Sequence, residues 1–264
     1  MVERVEIALP RLPEVFDGLS IAVISDLHAG FPWRGARALR SLVGLVNAER
    51  PHMVAVLGDV VHWHRAAPCY LPLLRELEAP RGVYACLGNH EHGHRWYSQY
   101  LEPLDAPTVE QWRTLYHQAG LRLLVNEAVV VEQNGARLWI GGVDDPYGRR
   151  DDLKATVGHL PREDCKILLA HSPDVADDAL ACQVDLILAG HTHGGQVRLP
   201  GLGPIHCSCR RPRERGAGLS AICDTYLYVS RGAGEGVPIR VNCPREVPLV
   251  TLRKATTGNN PGPR

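Results

Sequence analysis

Short apolar runs recur along the chain, and each is followed by a polar or glycine-containing turn. The runs are five to seven residues long, rich in valine and isoleucine and flanked by glycine, which favours buried β-strands over fragments of helix. They occupy residues 19–25, 52–58, 82–88, 137–143, 166–170, 184–190 and 225–230. A further run at residues 247–252 alternates only weakly, and we expect it to form an edge strand.

Helical periodicity lies between several of these runs. The segment that ends at Pro51 places apolar residues at i, i+3, i+4 and i+7, which predicts an amphipathic helix. A second helix is predicted to begin after Thr108, an N-cap residue, and to stop at Gly120. A shorter helix is predicted over residues 172–182. Strands that alternate with helices indicate an α/β fold built on largely internal strands.

The length and composition are those of one globular domain. A chain of 264 residues can bury a large core, and its 45% of hydrophobic and 22% of charged residues are ordinary values. The sequence contains neither an internal repeat nor an interdomain linker, so we expect a single domain over residues 1–255. The turn-rich residues 256–264 are expected to form a disordered tail.

Charge and hydropathy exclude several classes of protein. With 29 basic and 29 acidic side chains, the chain has no global field that would recruit long nucleic acid. No apolar run approaches the roughly 18–20 residues that span a bilayer, and the charged N-terminus lacks the apolar core of a signal peptide. We therefore expect a cytoplasmic protein and leave peripheral membrane contact open. The eight scattered cysteines form no C-x-x-C pair and do not favour a structural zinc site.

Side chains that can bind metals follow five of the predicted strands. They are Asp26 and His28, Asp59, Asn89 with His90, His171, and His191 with His193. A single aspartate or histidine in such a place is most often a turn, capping or surface residue. The presence of such side chains at five strand ends is hard to explain by independent turns. In open α/β sheets the loops converge at the carboxyl ends of the strands. Nitrogen and oxygen donors without thiolate suit Mn, Fe or Zn.

These motifs resemble those of the calcineurin-like metallophosphoesterase superfamily. All five occur in order: D-x-H at residues 26–28, G-D at 58–59, G-N-H-E at 88–91, a single histidine at 171 and G-H-x-H at 190–193. The resemblance implies an α/β fold of four layers, an α-β-β-α sandwich in which helices flank two mixed sheets. It also implies two divalent metal ions, with manganese favoured over iron or zinc.

The same resemblance implies a role for each residue of the motifs. The first ion would be held by Asp26, His28 and His193, and the second by Asn89, His171 and His191, with Asp59 bridging the two. Two cations about 3.5–4 Å apart convert a bridging water to hydroxide and clamp the phosphoryl oxygens. His90 corresponds to a histidine that binds no metal and would protonate the departing oxygen, with Glu91 orienting it.

Motifs outside the ligand set resemble one bacterial phosphodiesterase branch. They include "LPRLPEVFDGLSIAVISDLHAG", "LGNHEHGHRWY", "GGVDDPYG", "LLAHSPD" and "YVSRGAG". This branch acts on lipid-type pyrophosphate or diester substrates and includes enzymes similar to UDP-2,3-diacylglucosamine hydrolase. We therefore expect a phosphodiesterase or pyrophosphatase that acts on a small or lipid-linked phosphate substrate.

Several further residues are candidates for substrate binding. They are His92 and His94 beside His90, Arg210 and Arg211 in an arginine-rich segment, and Arg231 at a strand end. For each of them the alternative is a solvated or packing residue without a role in binding. For His62 and His64 a surface role is favoured. Aromatic residues near the ligand loops, namely Trp33, Trp63, Trp96 and Tyr147, could form an apolar rim or pack in the core.

Two other functions are compatible with the same motifs. One is a phosphomonoesterase that acts on phosphoproteins or nucleotides. The other is a scaffold without catalytic activity, although such a protein could lose ligands freely and this chain retains every ligand position and His90. The sequence leaves the oligomeric state open.

Overall fold

The computed structural model describes residues 1–31, 35–93 and 106–255, and in them two six-stranded mixed sheets form the centre of the fold. The first sheet runs, in spatial order, β1 (Val2–Leu9), β14 (Val247–Lys254), β2 (Ser20–Ile24), β3 (Met53–Leu57), β4 (Val83–Cys86) and β5 (Arg122–Leu123). The second runs β12 (Gly218–Ile222), β13 (Thr225–Val229), β9 (Leu186–Ala189), β8 (Cys165–Ala170), β7 (Ala136–Gly142) and β6 (Glu127–Gln133).

Helices and a small hairpin complete the described structure. The α-helices are α1 (Ala36–Ala48), α2 (Ala67–Tyr70), α3 (Val109–Gln118), α4 (Leu153–Val157) and α5 (Pro212–Arg215). The 3-10 segments are Glu14–Phe16, His64–Ala66, Leu71–Glu76, Pro173–Asp177, Ala179–Gln183 and His193–Gly195. The hairpin pairs β10 (Arg198–Leu199) with β11 (Gly203–Pro204). None of the helices in the described ranges is long and apolar enough to cross a bilayer.

Three apolar layers hold these elements together. Alternate side chains of β2, such as Ile21 and Val23, face inward and pack with Ile167 and Leu188 of the second sheet. Their neighbours, such as Ile24, face α1 and α3 on the outside of the first sheet. A third cluster joins α4 to the outer face of the second sheet. Because both sheets are buried on both faces, their central strands are continuous apolar runs, and the predicted four-layer α-β-β-α fold is confirmed.

The predicted helix between Thr108 and Gly120 is also confirmed. Thr108 accepts a hydrogen bond from the backbone of Gln111, and the Gln111 side chain accepts one from the backbone N–H of Thr108. This capping box satisfies two backbone donors at the start of α3. Gly120 has φ of +78°, a left-handed conformation that ends the helix at little cost.

Two predictions about the elements are wrong. The run at residues 247–252 does not form an edge strand, because β14 lies between β1 and β2 and is bonded on both sides. Residues 172–182 do not form one α-helix. Ser172 and Asp178 each cap a separate 3-10 segment, and the extended backbone of Asp178 divides the two. The predicted tail at residues 256–264 lies outside the described residues.

Candidate metal centre

Five parallel strands bring the candidate ligands to one edge of the two sheets. Asp26 follows β2, Asp59 follows β3, and Asn89 follows β4 of the first sheet. His171 follows β8, and the turn with His191 follows β9 of the second sheet. The carboxyl ends of parallel strands lie at the same edge, so loops that are far apart in sequence meet there.

A first cluster joins Asp26, His28 and His193. One ligand atom from each lies within 4.8 Å of the others. The Nε2 atoms of His28 and His193 are 3.1 Å apart, and His193 Nε2 is 3.6 Å from an Asp26 carboxylate oxygen. Asp26 and His28 are buried, whereas the His193 side chain is 15% exposed. The structure therefore brings together the three residues that the sequence assigns to one ion.

A second cluster joins Asp59, His171 and His191, and Asn89 lies beside it. His171 Nε2 lies 3.1 Å from both His191 Nδ1 and Asn89 Oδ1. The other ring nitrogen, His171 Nδ1, donates to the carbonyl oxygen of Leu57 at 2.8 Å. This hydrogen bond leaves the lone pair of neutral His171 on Nε2, the atom that faces the cluster.

Asp59 connects the two clusters. Its Oδ2 atom lies 3.4 Å from Nε2 of His171 and 3.7 Å from Nε2 of His28. Its Oδ1 atom accepts a hydrogen bond from the backbone N–H of His90 at 2.9 Å. One carboxylate oxygen therefore faces donors of both clusters, while the other fixes the orientation of the group.

The ligand loops have an unusual backbone conformation. Positive φ angles occur at Asp26 (55°), His28 (45°), Asp59 (50°), His191 (69°) and His193 (50°). Residues other than glycine rarely adopt this conformation, which costs about 1–3 kcal/mol each and is concentrated at functional sites. Five such residues in one place indicate a geometry that serves the site rather than the stability of the fold.

Glycines allow these loops to approach one another closely. A Cβ atom at Gly190 would lie 2.7 Å from a carboxylate oxygen of Asp26, and one at Gly88 would lie 2.6 Å from the backbone nitrogen of Asp59. Neither position can take a side chain unless the neighbouring ligand moves. The glycine before the H-x-H turn thus permits contact between the ends of β2 and β9.

Glu91 connects two of the loops, a role that differs from the one expected. Its carboxylate accepts hydrogen bonds from the backbone N–H groups of Asp59 (2.9 Å), Val60 (2.9 Å) and Gly88 (2.8 Å). The His90 ring is oriented instead by the carbonyl oxygen of His62, 2.9 Å from His90 Nδ1. The expectation that Glu91 orients His90 is therefore wrong.

We expect Glu91→Gln to lower the free energy of unfolding by about 2–4 kcal/mol, because a buried amide cannot accept all three hydrogen bonds. Whichever way the amide is turned, its NH₂ group faces a backbone N–H group. Chemical denaturation monitored by circular dichroism measures the effect. Glu110→Gln, at an exposed position in the first turn of α3, is the matched control and should change stability by less than about 0.5 kcal/mol. Equal effects of the two changes would contradict this role for Glu91.

His90 lies next to both clusters. Its Nε2 atom is 3.9 Å from Oδ2 of Asp59, and its side chain is 12% exposed. Because Nδ1 donates to the His62 carbonyl oxygen, Nε2 is the atom available for exchange of a proton with a bound molecule. The structure therefore places Nε2 of His90 beside Asp59, at the cavity over the two clusters.

His62 lies in the site, although a surface role was favoured from the sequence. Its Nδ1 atom lies 3.4 Å from Nδ1 of His28, and its ring is 4.8 Å from the ring of His90 between centroids. The ring also contacts Phe31 and Trp63. The sequence could not assign this position, since the segment after β3 contains two histidines and the local pattern does not show which of them contacts His28 and His90.

The pKa shifts place all of the candidate ligands with a resolved shift except His171 in the protonation state that binds cations. Burial lowers the pKa values of His28, His191 and His193, so their rings are neutral. Burial alone would raise the pKa of the Asp59 carboxyl, but the imidazoles of His171 and His90 lower it well below its usual value. His171 differs from the other histidines: burial alone would lower its pKa, but the Asp59 carboxylate raises it well above its usual value, so a metal ion that binds His171 would release a proton. Neutral imidazole and ionised carboxylate are the forms that coordinate metals.

The donor atoms fit metal ions. Nε2 of His191 and Nδ1 of His193 are buried without a hydrogen-bond partner in the described part of the chain. The ring nitrogens that face each other at 3.1 Å, in the pairs His28–His193 and His171–His191, need a shared proton or a cation between them. Among the described residues, no group with metal-binding geometry includes a cysteine. These residues therefore form candidate sites for divalent metal ions of the Mn, Fe or Zn type.

A cavity of about 390 Å³ opens over the clusters. Its lining combines the histidines and Asp59 with Phe31, Trp63, Tyr147, Gln196 and Val237. Of the aromatic residues considered for a rim, Trp63 and Tyr147 line this cavity, while Trp33 and Trp96 lie outside the described residues. A cavity of this size accommodates a small molecule or one end of a larger one.

Other candidate substrate residues have partners away from this cavity. His92 is buried, and its Nε2 lies 2.6 Å from a carboxylate oxygen of Asp144. His94 lies outside the described residues. Arg210 is paired with Asp174 and Asp177, and Arg211 with Asp177 and Glu214, at ion-pair distances of 3.4–3.9 Å. Of the candidates in the described ranges, His92, Arg210 and Arg211 do not line the cavity.

Arg231 is held between two glutamates behind the His193 turn. It forms ion pairs with Glu3 and Glu246, and its aliphatic part packs against Gly194. Glu246 also accepts a hydrogen bond from the backbone N–H of Arg231 at 2.9 Å. Burial, followed by a hydrogen bond shared with Glu3, raises the pKa of Glu246 to about 7.

This shift predicts a pH-dependent effect of Glu246→Gln. The raised pKa means that wild-type protein loses stability as pH rises from about 4.5 to about 7, where the unfolded chain ionises before the folded one. The variant lacks this loss, so its stability relative to wild type should increase by about 3 kcal/mol over that range. Urea denaturation at pH 4.5 and pH 8 measures the difference. A difference that is the same at both pH values would refute the prediction.

Sequence comparison shows the family of this chain. A sequence model described as calcineurin-like phosphoesterase matches residues 19–195. The metallophosphoesterase YkuE of Bacillus subtilis is 30% identical over 261 residues, which cover 96% of this chain and 86% of YkuE. The phosphodiesterase YaeI of Escherichia coli is 28% identical over 235 residues, which cover 88% of this chain and 81% of YaeI.

Some relatives are much longer than this chain. A transmembrane protein with metallophosphoesterase domain from Danio rerio is 30% identical over 274 residues, covering 96% of this chain. The chain spans 57% of that protein and 52% of a relative from Caenorhabditis elegans.

Among solved structures, the sulfate thiohydrolase SoxB of Thermus thermophilus is similar in fold. The TM-score is 0.50 with 15% identity, over 84% of this chain and 53% of SoxB. At this identity the likeness concerns the fold alone. The family match covers all five motifs that form the two clusters, and YkuE extends the similarity over nearly the whole chain. The chain therefore belongs to the calcineurin-like phosphoesterase family.

Proposed function

We propose that the chain is a phosphodiesterase or pyrophosphatase with two metal ions, acting on a small or lipid-linked phosphate substrate. The observation that carries this proposal is the position of Asp59 between two sets of donors, with Oδ2 within 3.7 Å of a histidine from each set. A carboxylate shared in this way suits a pair of adjacent cations.

Each ion would have its own set of ligands. Asp26, His28 and His193 would hold one, Asn89, His171 and His191 the other, and Asp59 would contact both. When bound, the two ions supply Lewis acidity, which activates a water molecule and neutralises charge on the phosphoryl oxygens. Manganese is our first choice among Mn, Fe and Zn.

His90 would serve as the general acid. Its Nδ1–H group donates to the His62 carbonyl oxygen, which fixes the ring so that Nε2 faces the cavity beside Asp59. A proton on Nε2 can pass to the oxygen of the departing group as the P–O bond breaks. His90 then returns to the neutral form and regains a proton from solvent.

The lining of the cavity supports a substrate that carries an apolar substituent. Phe31, Trp63, Tyr147 and Val237 supply apolar surface around the polar clusters. A substituent on an ester oxygen could pack against this surface while the phosphate faces the clusters. The printed name of YaeI, phosphodiesterase, supports a diester, and the resemblance to UDP-2,3-diacylglucosamine hydrolase supports a lipid-linked substrate. The single domain over residues 1–255 and the cytoplasmic location remain predictions.

Hydrolysis of bis(4-nitrophenyl) phosphate and 4-nitrophenyl phosphate by metal-stripped protein, with and without added Mn²⁺, tests the proposal. We expect manganese-dependent cleavage of the diester that exceeds cleavage of the monoester. The metal-free protein is the control in each reaction. Turnover of the monoester alone would favour the phosphomonoesterase, and failure to cleave either substrate while two ions are bound would favour the scaffold.

A further inference from the structure

Exposed apolar side chains are concentrated beside the mouth of the cavity. Six of the eleven large hydrophobic residues that are exposed in the described ranges lie in two short segments, residues 199–205 and 237–241. We call these six the apolar lip: Leu199, Leu202, Ile205, Val237, Ile239 and Val241. Leu202 and Ile205 are each 65% exposed. A contiguous apolar patch on a protein surface commonly marks a binding site.

Hydrogen bonds hold the two segments of the lip next to each other. The hairpin of β10 and β11 includes Leu199, and the N–H of Ile205 donates to the carbonyl oxygen of Val197. On the other side, the N–H of Arg198 donates to the carbonyl oxygen of Val241. The Gln196 side chain donates to the carbonyl oxygens of both Val237 and Ile239 at 2.9 and 2.8 Å. These bonds hold the two segments side by side.

The lip adjoins the candidate metal centre. Gln196 and Val237 line the cavity over the clusters, and Gln196 follows the His193 turn directly in the chain. Trp63, another exposed hydrophobic residue, lines the same cavity. An apolar molecule held on the lip would therefore have its polar end near the clusters.

The surroundings of the lip are positively charged. Residues 196–213 and 236–245 contain six arginines and neither aspartate nor glutamate, although the whole chain has a net charge of zero. Four of the six arginines are compensated. Arg240 and Arg245 both pair with Glu235, and Arg210 and Arg211 pair with Asp174, Asp177 and Glu214. Arg213 is exposed, and Arg198 donates to the carbonyl oxygen of Gly194. Apolar side chains bordered by arginine suit the surface of an anionic bilayer.

Charge also distinguishes the bilayer from a second copy of the chain. In a symmetric dimer through the lip, the same arginine-containing surface of each copy would face the other copy, and like charges would oppose burial of the apolar groups. An anionic bilayer provides the opposite charge, and apolar residues on turns can enter the region between headgroups and acyl chains.

We propose that the apolar lip inserts into the interface of an anionic phospholipid bilayer and presents the cavity to lipid-linked phosphoesters. The inference rests on the proposed function for the identity of the substrate, whereas binding to the bilayer does not depend on turnover. Insertion would place the end of a lipid at the cavity mouth, with its phosphate toward the clusters and its acyl chains in the membrane.

Co-sedimentation with vesicles tests the proposal. The protein is mixed, in EDTA to prevent hydrolysis, with vesicles of phosphatidylcholine alone or with phosphatidylglycerol added. We expect binding to the anionic vesicles, at least about tenfold weaker binding by Leu202→Glu/Ile205→Glu, and little binding to phosphatidylcholine alone. Val130→Glu/Leu219→Glu, at two exposed apolar positions on other strands, is the matched control and should bind like wild type.

Three results would overturn the proposal. They are absence of binding to anionic vesicles, equal binding by wild type and the lip variant, and equal binding to both kinds of vesicle. If wild type does not bind vesicles but forms a dimer in light scattering, and the lip variant is monomeric, the lip is a protein interface.

Hydrolysis of soluble bis(4-nitrophenyl) phosphate is measured separately and should be unchanged in the lip variant. If wild-type protein with added Mn²⁺ does not hydrolyse this diester, the proposed function is rejected, but the vesicle experiment still shows whether the lip binds an anionic bilayer.

Discussion

Replacement of Asp59 by asparagine is expected to lower kcat/KM for a phosphodiester by on the order of a thousandfold or more, because metal-ion catalysis contributes several kcal/mol. The Asp59 carboxylate is buried, and its Oδ2 faces Nε2 of His171 and of His28 from opposite clusters. Asparagine has nearly the same shape but carries no charge and offers one oxygen. If the amide oxygen of asparagine faces the clusters, the acceptor for the backbone N–H of His90 is lost; if the amide is turned the other way, the oxygen that faces the clusters is lost.

Metal content and kinetics together test this prediction. Plasma emission spectroscopy after dialysis should find two ions per wild-type chain and fewer in the Asp59→Asn variant, and the loss of activity should be only partly reversed by excess Mn²⁺. Asp224→Asn, on the exposed turn between β12 and β13, is the matched control and should behave like wild type. Full metal content with normal kcat/KM in Asp59→Asn would exclude a bridging role.

The strand-end motifs could be assigned from the sequence because two physical constraints act on the same residues. A buried strand must be apolar, so the first polar residues after it mark its carboxyl end. Parallel strands then place those ends at one edge, and Asp26, Asp59 and His171 meet although more than 140 residues separate the first from the last. The hydrophobic pattern of the strands and the metal-binding side chains that follow them therefore both indicate a site at this edge of the sheets.

The sheet edges could not be predicted in this way. In β1, charged and apolar residues alternate at an edge, so "VERVEIAL" has no continuous apolar run to identify it. Its pairing with β14 moves β14 into the sheet interior, which is why the prediction of an edge at residues 247–252 was wrong. Whether β14 lies at the edge depends on its pairing with β1, which comes from the other end of the chain. The local hydrophobic pattern of either strand does not contain this pairing.

The supporting residues of the site were the hardest to assign. Glu91 adjoins His90 in sequence, yet its carboxylate points away from the ring and bonds to the backbone of Asp59 and Gly88. His62 is directed into the site by the fold, while its neighbour His64 lies in a 3-10 segment. Sequence position places a residue on a loop, but the direction of its side chain depends on how neighbouring loops pack together in the fold.

His90→Ala is expected to lower kcat by about 10²–10⁴-fold while the metal content stays unchanged, because in the proposed mechanism His90 supplies a proton and does not bind a metal ion. The backbone N–H of residue 90 still donates to Asp59, so the carboxylate keeps its orientation. KM should change little. His117→Ala, at an exposed position of α3, is the control and should leave kcat unchanged.

The loss should also depend on the leaving group. A 4-nitrophenolate needs little protonation when it departs, whereas an unsubstituted phenolate needs much more, so the His90→Ala effect should be larger for phenyl than for 4-nitrophenyl diesters. A purely structural role would lower both rates by the same factor. If the variant instead loses metal and both substrates are affected equally, His90 is a ligand or a support for one, and the proton must reach the departing oxygen from another group that lines the cavity.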